Sequence, residues 1–521
     1  MPIGLSDLLA ADSLSLPGEP ATPGNRPDIA VTGITDDSRQ VKPGYLFVAR
    51  SGFKLNGHDF IPQAVANGAA AILTDRAPVP SVNVPVIIAD QLSSAAGKLA
   101  HRFWADPSLK MRVMAVTGTN GKTTIAYLTR SLFKAMGVNC GLIGTVEIDD
   151  GVRRLPSPMT TPGAIELARQ LALMQRNGLE AVAMEASSHA LDQDRLAGVR
   201  VSVGMFSNLT GDHLDYHLTM DRYAAAKARL FTALDGDATA VVNADDDYAS
   251  IMVRNTPARV MTYGIKRAAD LEGRVISMDQ SGMQMKVSLR GSTALNLHSP
   301  MVGVHNAQNI LCALAGAISA GFALEQLVVP MSVAGAAPGR LQRVEPAGLA
   351  SEKLPFAVFV DYAHTHDALE NVLTALRPLT GGRLICVFGC GGDRDKTKRP
   401  LMGAVAEKLA DRVIVTSDNP RTEKPEAIID DILRGFSMRS GGSPEVISDR
   451  RAAITAAVEM AAPNDTILIA GKGHENYQII GTERHHFDDV QCASQALEAR
   501  LCAQQYEGGR RVVESGLRGI K

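Results

Sequence analysis

The chain has 521 residues, with 53 Lys and Arg against 55 Asp and Glu, a formal net charge of −2 and 45% apolar residues. That length suggests about three domains with enough apolar material for several cores, and the balanced charge gives no reason to expect nucleic acid or a membrane surface as partner. No basic flank with an apolar core opens the chain, and no apolar run reaches the roughly 18 residues that span a bilayer, so neither a signal peptide nor a membrane span is expected.

Residues 1–108 read as a small α/β domain. Ile34 to Arg39 is a turn leaving a strand, Pro43-Gly44 turns the chain into the strand Tyr45 to Ala49, and a helix from Ile61 to Asn67 leads to the strand Ala70 to Leu73. Asp37-Ser38-Arg39 and Gly52 to His58 are candidate binding loops. Residues 109–338 alternate strands with helices, which argues for a mostly parallel sheet. A β-branched and apolar run, Val113 to Thr117, ends in Gly118-Thr119-Asn120-Gly121-Lys122-Thr123-Thr124, and a helical pattern follows at Ile125, Leu128, Leu132 and Met136. In that strand–loop–helix order the loop amides and the helix N-terminus cradle phosphate, Lys122 supplies positive charge and the Thr123 hydroxyl can reach Mg²⁺. Val116 stands where the general P-loop pattern has Gly.

Further along, Thr160-Thr161-Pro162 opens a helix from Ala164 to Arg176. The buried strand Ala181 to Glu185 ends in an acid, and Val201 to Phe206 runs into Ser207-Asn208 and on to His213. Glu185, Asn208 and His213 lie just past strand ends, where ligands gather in open α/β sheets, so with Thr123 they are candidates for a magnesium site. The helix from about Met220 to Leu234, capped by Thr219, carries Lys227 on its apolar stripe between Tyr223 and Phe231. Spacing alone leaves two readings of Lys227: a snorkelling side chain or a buried one. A meander from Arg274 to His298 precedes a helix with His305, Asn306 and Asn309 near its start, which local chemistry reads as cap and turn residues. Pro338-Gly339-Arg340 links to the last domain.

Residues 339–521 repeat one design four times. Buried strands end at Asp361-Tyr362-Ala363-His364, at Gly389 to Asp395, at Thr416 to Arg421 and at Gly471 to Glu475. Four polar or Gly-rich strand ends on a doubly wound, Rossmann-like sheet make a binding rim. The six cysteines (Cys140, Cys312, Cys386, Cys390, Cys492 and Cys502) form no CxxC pair and read as idle thiols of a reducing cytosol. The tail after Tyr506, with Arg510, Arg511, Arg518 and Lys521, reads as a frayed, solvated end.

The loop Gly118 to Thr124, the stretch Tyr223 to Phe231 and Asp418-Asn419-Pro420-Arg421 together resemble the Mur ligase family, within the superfamily that includes the folylpolyglutamate synthetases. The resemblance covers nearly the whole chain. It implies an α/β protein of three domains: 1–108 for the uridine nucleotide substrate, a P-loop-type ATPase domain at 109–338 and an amino-acid domain at 339–521. It also implies an enzyme that joins a carboxylate to an amine at the expense of ATP, in peptidoglycan precursor synthesis, as a cytoplasmic monomer acting on small molecules.

By the same resemblance, Gly118, Thr119, Asn120, Gly121, Lys122, Thr123 and Thr124 hold ATP with Asn306, Arg340 and Asp361. Thr123, Glu185, His213 and a CO₂-derived carbamate on Lys227 hold Mg²⁺, and Lys122, Lys227 and His213 are the catalytic set. Ser38, Phe53, Lys54 and Leu55, with Thr160, Thr161, Ser187, Gln193 and Arg195, hold the nucleotide-peptide. Arg394, Asp418, Asn419, Pro420, Arg421, Gly471 and Glu475 hold the amine acceptor. Asp418 to Arg421 matches the branch that adds meso-diaminopimelate, whose distal carboxylate suits a guanidinium. Alternatives are a lysine-adding relative, a folylpolyglutamate-synthetase-like ligase and a non-ligase P-loop ATPase. Two departures stand out: His366, where relatives often have Pro, and Met159 before Thr160.

Overall fold

The computed structural model describes residues 2–10, 29–51, 56–78, 82–346, 354–437 and 443–518, the last stretch by backbone alone from residue 504. Two compact units form. One comprises Met1–Gly273, Val287–Leu295 and Gln308–Met331; the other comprises Arg274–Lys286, Asn296–Ala307 and Ser332–Lys521.

Among the described residues the first unit holds a short antiparallel pair, Ile3–Gly4 with Ala30–Val31, and two larger sheets. Gly33–Thr35, Tyr45–Ala49, Ala71–Thr74 and Val86–Ile88 pair in parallel in chain order. Side chains alternate across a strand, and here both faces are used. Leu46, Val48, Leu73 and Ile87 meet Leu92, Ala95 and Leu99 of the helix Leu92–Phe103, whereas Phe47, Ala49 and Ile72 meet Ile61 and Ala64.

In the second sheet, six strands are parallel in the order Cys140–Ile143, Ala181–Glu185, Arg112–Thr117, Val203–Phe206, Thr239–Asn243, Arg259–Gly264. The strand that feeds the phosphate loop is therefore central. Its register sets Val116 against Glu185 and Thr117 against Phe206, so three strand ends deliver Gly118, Ala186 and Ser207 at one level. That levelling makes a site out of residues about 20 to 90 positions apart. The meander expected from Arg274 to His298 appears as the strands Leu271–Asp279, Gly282–Leu289 and Leu295–Ser299.

The second unit is built on four parallel strands in the order Ala357–Asp361, Thr466–Ala470, Leu384–Phe388, Arg412–Val415. Each is buried on both faces, which is why each reads as an unbroken apolar run. Phe359, Cys386, Phe388, Val415 and Leu468 pack on one side, and Val358, Val360, Ile385, Val387, Ile467 and Ile469 on the other. Asp361 and Phe388 both pair with Ala470, so the polar segments after these strands emerge together. Beneath that edge a fully buried ion pair joins Arg450 to Asp489 (2.8 and 2.7 Å), and Arg450 also donates to the carbonyls of Ser417 and Ala470. All four Arg450 contacts are hydrogen bonds in a site closed to water, which is what a buried charge needs.

Among the described residues no helix is long and apolar enough to cross a membrane. All six cysteines are free, and Cys502 alone is exposed.

Candidate active site

The Arg112–Thr117 strand runs into Gly118, and the helix Lys122–Ala135 begins directly after Gly121. Both glycines have positive φ, 148° and 87°. A Cβ on Gly118 would stand 1.9 Å from Ser207 Oγ, and one on Gly121 would stand 2.3 Å from Asn309 Oδ1. Side chains are excluded at both places by conformation and by space. The neighbouring strand end braces the loop: Thr119 N donates to Asn208 O (2.8 Å), Asn120 N to Asn208 Oδ1 (3.0 Å) and Ser207 Oγ to Asn120 O (2.5 Å). The Lys122 ammonium curls back to the carbonyls of Gly118 (2.9 Å) and Thr119 (2.8 Å). A glycine loop, a lysine and a helix N-terminus in this order form an anion cradle.

Beside it, Thr123 Oγ1 donates to Glu185 Oε2 at 3.0 Å, and Glu185 is 1% exposed. Thr145, which the sequence reading passed over, donates its N–H to Glu185 Oε1 (2.7 Å) and its hydroxyl to Oε2 (3.1 Å). A buried carboxylate beside a phosphate cradle, with hydroxyl neighbours, fits hard Mg²⁺. His213 stands apart from this pair: its φ is 54°, its side chain is half exposed, and its ring lies 4.9 Å from His189 and 6.3 Å from Tyr223. His189, His217 and Tyr216 complete a ring cluster that the sequence does not reveal, since their contacts depend on a turn between two helices. Among the described residues no three His, Cys, Asp or Glu side chains group closely enough to hold a metal by themselves.

Lys227 is buried, which decides between its two readings. The helix spans Met220–Thr232, with Thr219 accepting from Arg222 N. Lys227 is 1% exposed; its Nζ donates to Gly118 O at 2.8 Å and lies 4.4 Å from the Tyr223 ring centre. Neither contact carries a formal charge. Burial first, and the charge of Lys122 second, hold its ammonium well below the ordinary lysine range, while Asp212 opposes them. Lys122 and Lys227 thus converge on one carbonyl from two helices.

Thr160, Thr161, Ser187, Gln193 and Arg195 form one connected network. Thr160 meets Thr145 (3.1 Å), Thr161 Oγ1 donates to the Glu185 carbonyl (2.8 Å) and Ser187 N donates to Thr161 Oγ1 (3.1 Å). Arg195 donates to Thr161 O (2.9 Å) and, through Nε and Nη2, to Gln193 Oε1. Burial, and next the nearby Arg50, lower the Arg195 pKa. Ser38 is buried in its turn and donates to Gln63 Oε1 at 2.9 Å. Phe53, Lys54 and Leu55 lie outside the described residues.

In the second unit, Lys472 is the organiser that sequence reasoning missed, because it sits between two glycines in what reads as a plain turn. It is fully buried, donates to Asp418 Oδ1 and Asn419 Oδ1 (both 3.1 Å) and pairs with Glu475 at 3.6 Å. Asn419 Nδ2 donates to Glu475 Oε2 (2.8 Å). Gly471 has φ 117°, and a Cβ there would meet Asp418 Oδ2 at 3.3 Å. Beyond Pro420, Arg421 takes a left-handed conformation (φ 52°), held by Arg421 N to Ile479 O (3.0 Å) and Gly481 N to Arg421 O (2.8 Å). Its Nη1 donates to Gly392 O at 2.7 Å. Arg394 is exposed on the facing loop. Asp361, buried, accepts from Leu341 N (2.6 Å) and Ala363 N (2.8 Å), and burial raises its pKa. Arg340 stacks 4.7 Å from the Tyr362 ring, and Asn306 donates to Val302 O (2.8 Å).

Family models match residues 30–104 (Mur ligase family, catalytic domain), 116–317 (Mur ligase middle domain) and 339–473 (Mur ligase, glutamate ligase domain). A Bacillus cereus protein named UDP-N-acetylmuramoyl-L-alanyl-D-glutamate--2,6-diaminopimelate ligase is 41% identical over 488 residues, 92% of this chain and 96% of that protein. A Parasynechococcus marenigrum protein of the same name is 44% identical over 493 residues, 92% of this chain and 97% of its own. A solved structure with that name is 35% identical, with a TM-score of 0.71 over 96% of this chain and 99% of the other. A Mycobacterium tuberculosis folylpolyglutamate synthase solved with ADP, at 18% identity and a TM-score of 0.57, shares the fold.

Proposed function

The chain belongs to the Mur ligase family, and we propose that it is the ATP-dependent ligase that adds meso-diaminopimelate to UDP-N-acetylmuramoyl-L-alanyl-D-glutamate. The D-glutamyl γ-carboxylate attacks the γ-phosphorus of ATP, giving an acyl phosphate and ADP. The amine of diaminopimelate then attacks the acyl carbon, loses a proton, and phosphate leaves from the tetrahedral intermediate. Phosphoryl transfer asks the protein for position and charge more than for covalent help. The loop amides from Gly118 to Gly121 and Lys122 supply both. Thr123, Glu185 and, from the neighbouring turn, His213 are the side chains for Mg²⁺, which neutralises phosphate charge when bound.

The Lys227 amine, depressed by burial, is suited to add to CO₂ and lose a proton. The resulting carbamate is a further anionic oxygen donor for metal and resolves the burial of an uncompensated cation. The network of Thr160, Thr161, Ser187, Gln193 and Arg195 ends on Glu185 itself, so the nucleotide-peptide and the metal share one scaffold. Phe53, Lys54 and Leu55 remain its uridine contacts by resemblance.

One observation carries the choice of acceptor: Arg421 is held on a rim turn with its guanidinium anchored through one nitrogen to Gly392 O, leaving further donors for a distal carboxylate. Glu475 and Asp418, ordered around Lys472, suit the ammonium of the same amino-acid head. The test is an acceptor screen with ATP, Mg²⁺ and the nucleotide-dipeptide held fixed. Phosphate release should appear with meso-diaminopimelate and stay near background with lysine. Equal turnover with lysine, or phosphate release without any acceptor, would overturn the reading.

A further inference from the structure

Arg399 has no part in the chemistry above, yet with Arg450 it is one of the two largest fully buried side chains among the described residues of the second unit. It sits at the start of the helix Lys398–Leu409. Its Nη1 and Nη2 grip both oxygens of Glu423 (3.0 and 2.8 Å), Nη2 also donates to Gly391 O (3.1 Å), and Nη1 reaches Asp431 (2.9 Å) on the helix Pro425–Leu433. Glu423 in turn accepts from Asp393 N (2.7 Å). Arg399 leads the causes that hold the Glu423 carboxyl down at about 2.

The two segments joined here are the loop that carries Arg394 and the loop that carries Arg421. They are also stitched directly. Gly392 N donates to Asn419 O (2.9 Å), Thr422 donates through Oγ1 and N to Asp393 (2.8 and 3.2 Å), and Arg421 Nη1 donates to Gly392 O. There is no slack at the seam: a Cβ on Gly392 would stand 1.9 Å from Pro420 O.

We propose that Arg399, through its fork on Glu423 and Gly391, is a positioning residue that sets the spacing of Arg394 and Arg421 and so the fit of the acceptor's distal carboxylate. This rests on the reading that these two arginines receive that group. A bidentate fork fixes both distance and orientation, which a lysine ammonium cannot do, and a small misplacement of a recognition group is costly.

The experiment compares steady-state kinetics of Arg399→Lys, Glu423→Gln and Asp431→Asn with the unaltered chain. The Asp431 variant loses a charge partner of Arg399 that lies on neither loop, so it reports the purely structural share. Arg399→Lys and Glu423→Gln are expected to raise KM for meso-diaminopimelate about 10- to 100-fold. KM for ATP and for the nucleotide-dipeptide should change less than about 2-fold, and Asp431→Asn should lower thermal stability while leaving the acceptor KM near normal. Should Arg399→Lys fail to fold, Glu423→Gln alone decides. Unchanged acceptor KM in the variants, or equal shifts in all three substrates, would overturn the proposal. Failure of the unaltered chain to use diaminopimelate would instead overturn the acceptor assignment beneath it.

Discussion

Replacing Arg421 separates recognition from stability, because its side chain and its backbone pull in opposite directions. On the proposed reading, loss of the guanidinium leaves the acceptor's distal carboxylate without its partner. Truncating one member of such a pair costs about 2–5 kcal/mol. With Arg394 sharing the load, about 2–4 kcal/mol is expected, or roughly 30- to 1000-fold in KM for diaminopimelate. The backbone at Arg421 has φ 52°, which costs a residue with a Cβ about 1 kcal/mol and glycine little. The turn keeps its bonds to Ile479 and Gly481, since both are made by the main chain. Arg421→Gly should therefore be more stable than Arg421→Ala by about 1 kcal/mol, or about 2–4 °C in melting temperature, while both lose diaminopimelate equally. Neither should become a good lysine ligase, because no contact to lysine is gained. Steady-state assays with varied acceptor, ATP and nucleotide-dipeptide, alongside thermal melts, read both effects. A normal KM for diaminopimelate in Arg421→Ala would refute the recognition argument, and a glycine variant less stable than the alanine one would refute the backbone argument.

Further outcomes are expected at Lys227 and at Gly118. Lys227→Ala should be nearly inactive and partly restored by short carboxylic acids; full activity of the alanine variant would remove the carbamate. In the unaltered chain burial depresses the Lys227 pKa, so the folded state binds fewer protons than the unfolded one between the depressed and the ordinary lysine values. The unmodified protein should therefore gain stability as pH rises through that window and lose it as pH falls. Activity should fall with the same drop in pH, because carbamate formation needs the neutral amine; pH-dependent melts and rates in CO₂-free and bicarbonate buffers check both. Gly118→Ala places a methyl on Ser207 Oγ and the Asn208 backbone, and should weaken ATP binding at least about 10-fold through loop displacement and lost loop bonds. ATP affinity at the wild-type value would show that the loop yields without cost.

Much of the architecture was legible in one dimension because it rests on local rules. Apolar runs buried on both faces mark parallel strands, and a strand–glycine loop–helix order marks a phosphate cradle wherever it occurs. The misfit of Lys227 on its stripe could be read the same way, whereas the Asp-Asn-Pro-Arg turn stood out through its resemblance to the family. Other features exist only because the sheet brings distant segments level. The register of Val116 with Glu185 sets Thr123 and Thr145 around its carboxylate and Thr161 on its main-chain carbonyl, although nothing around Thr145 marks it. Lys472 and Arg399 look like a turn lysine and a helix-start arginine until folding removes them from water. Burial makes their partners obligatory, since an ammonium or guanidinium without water must find acceptors. Local periodicity therefore determined the elements, whereas pairing across strand ends decided which polar residues became a site, because the cost of desolvating a charge depends on neighbours that only the tertiary structure supplies.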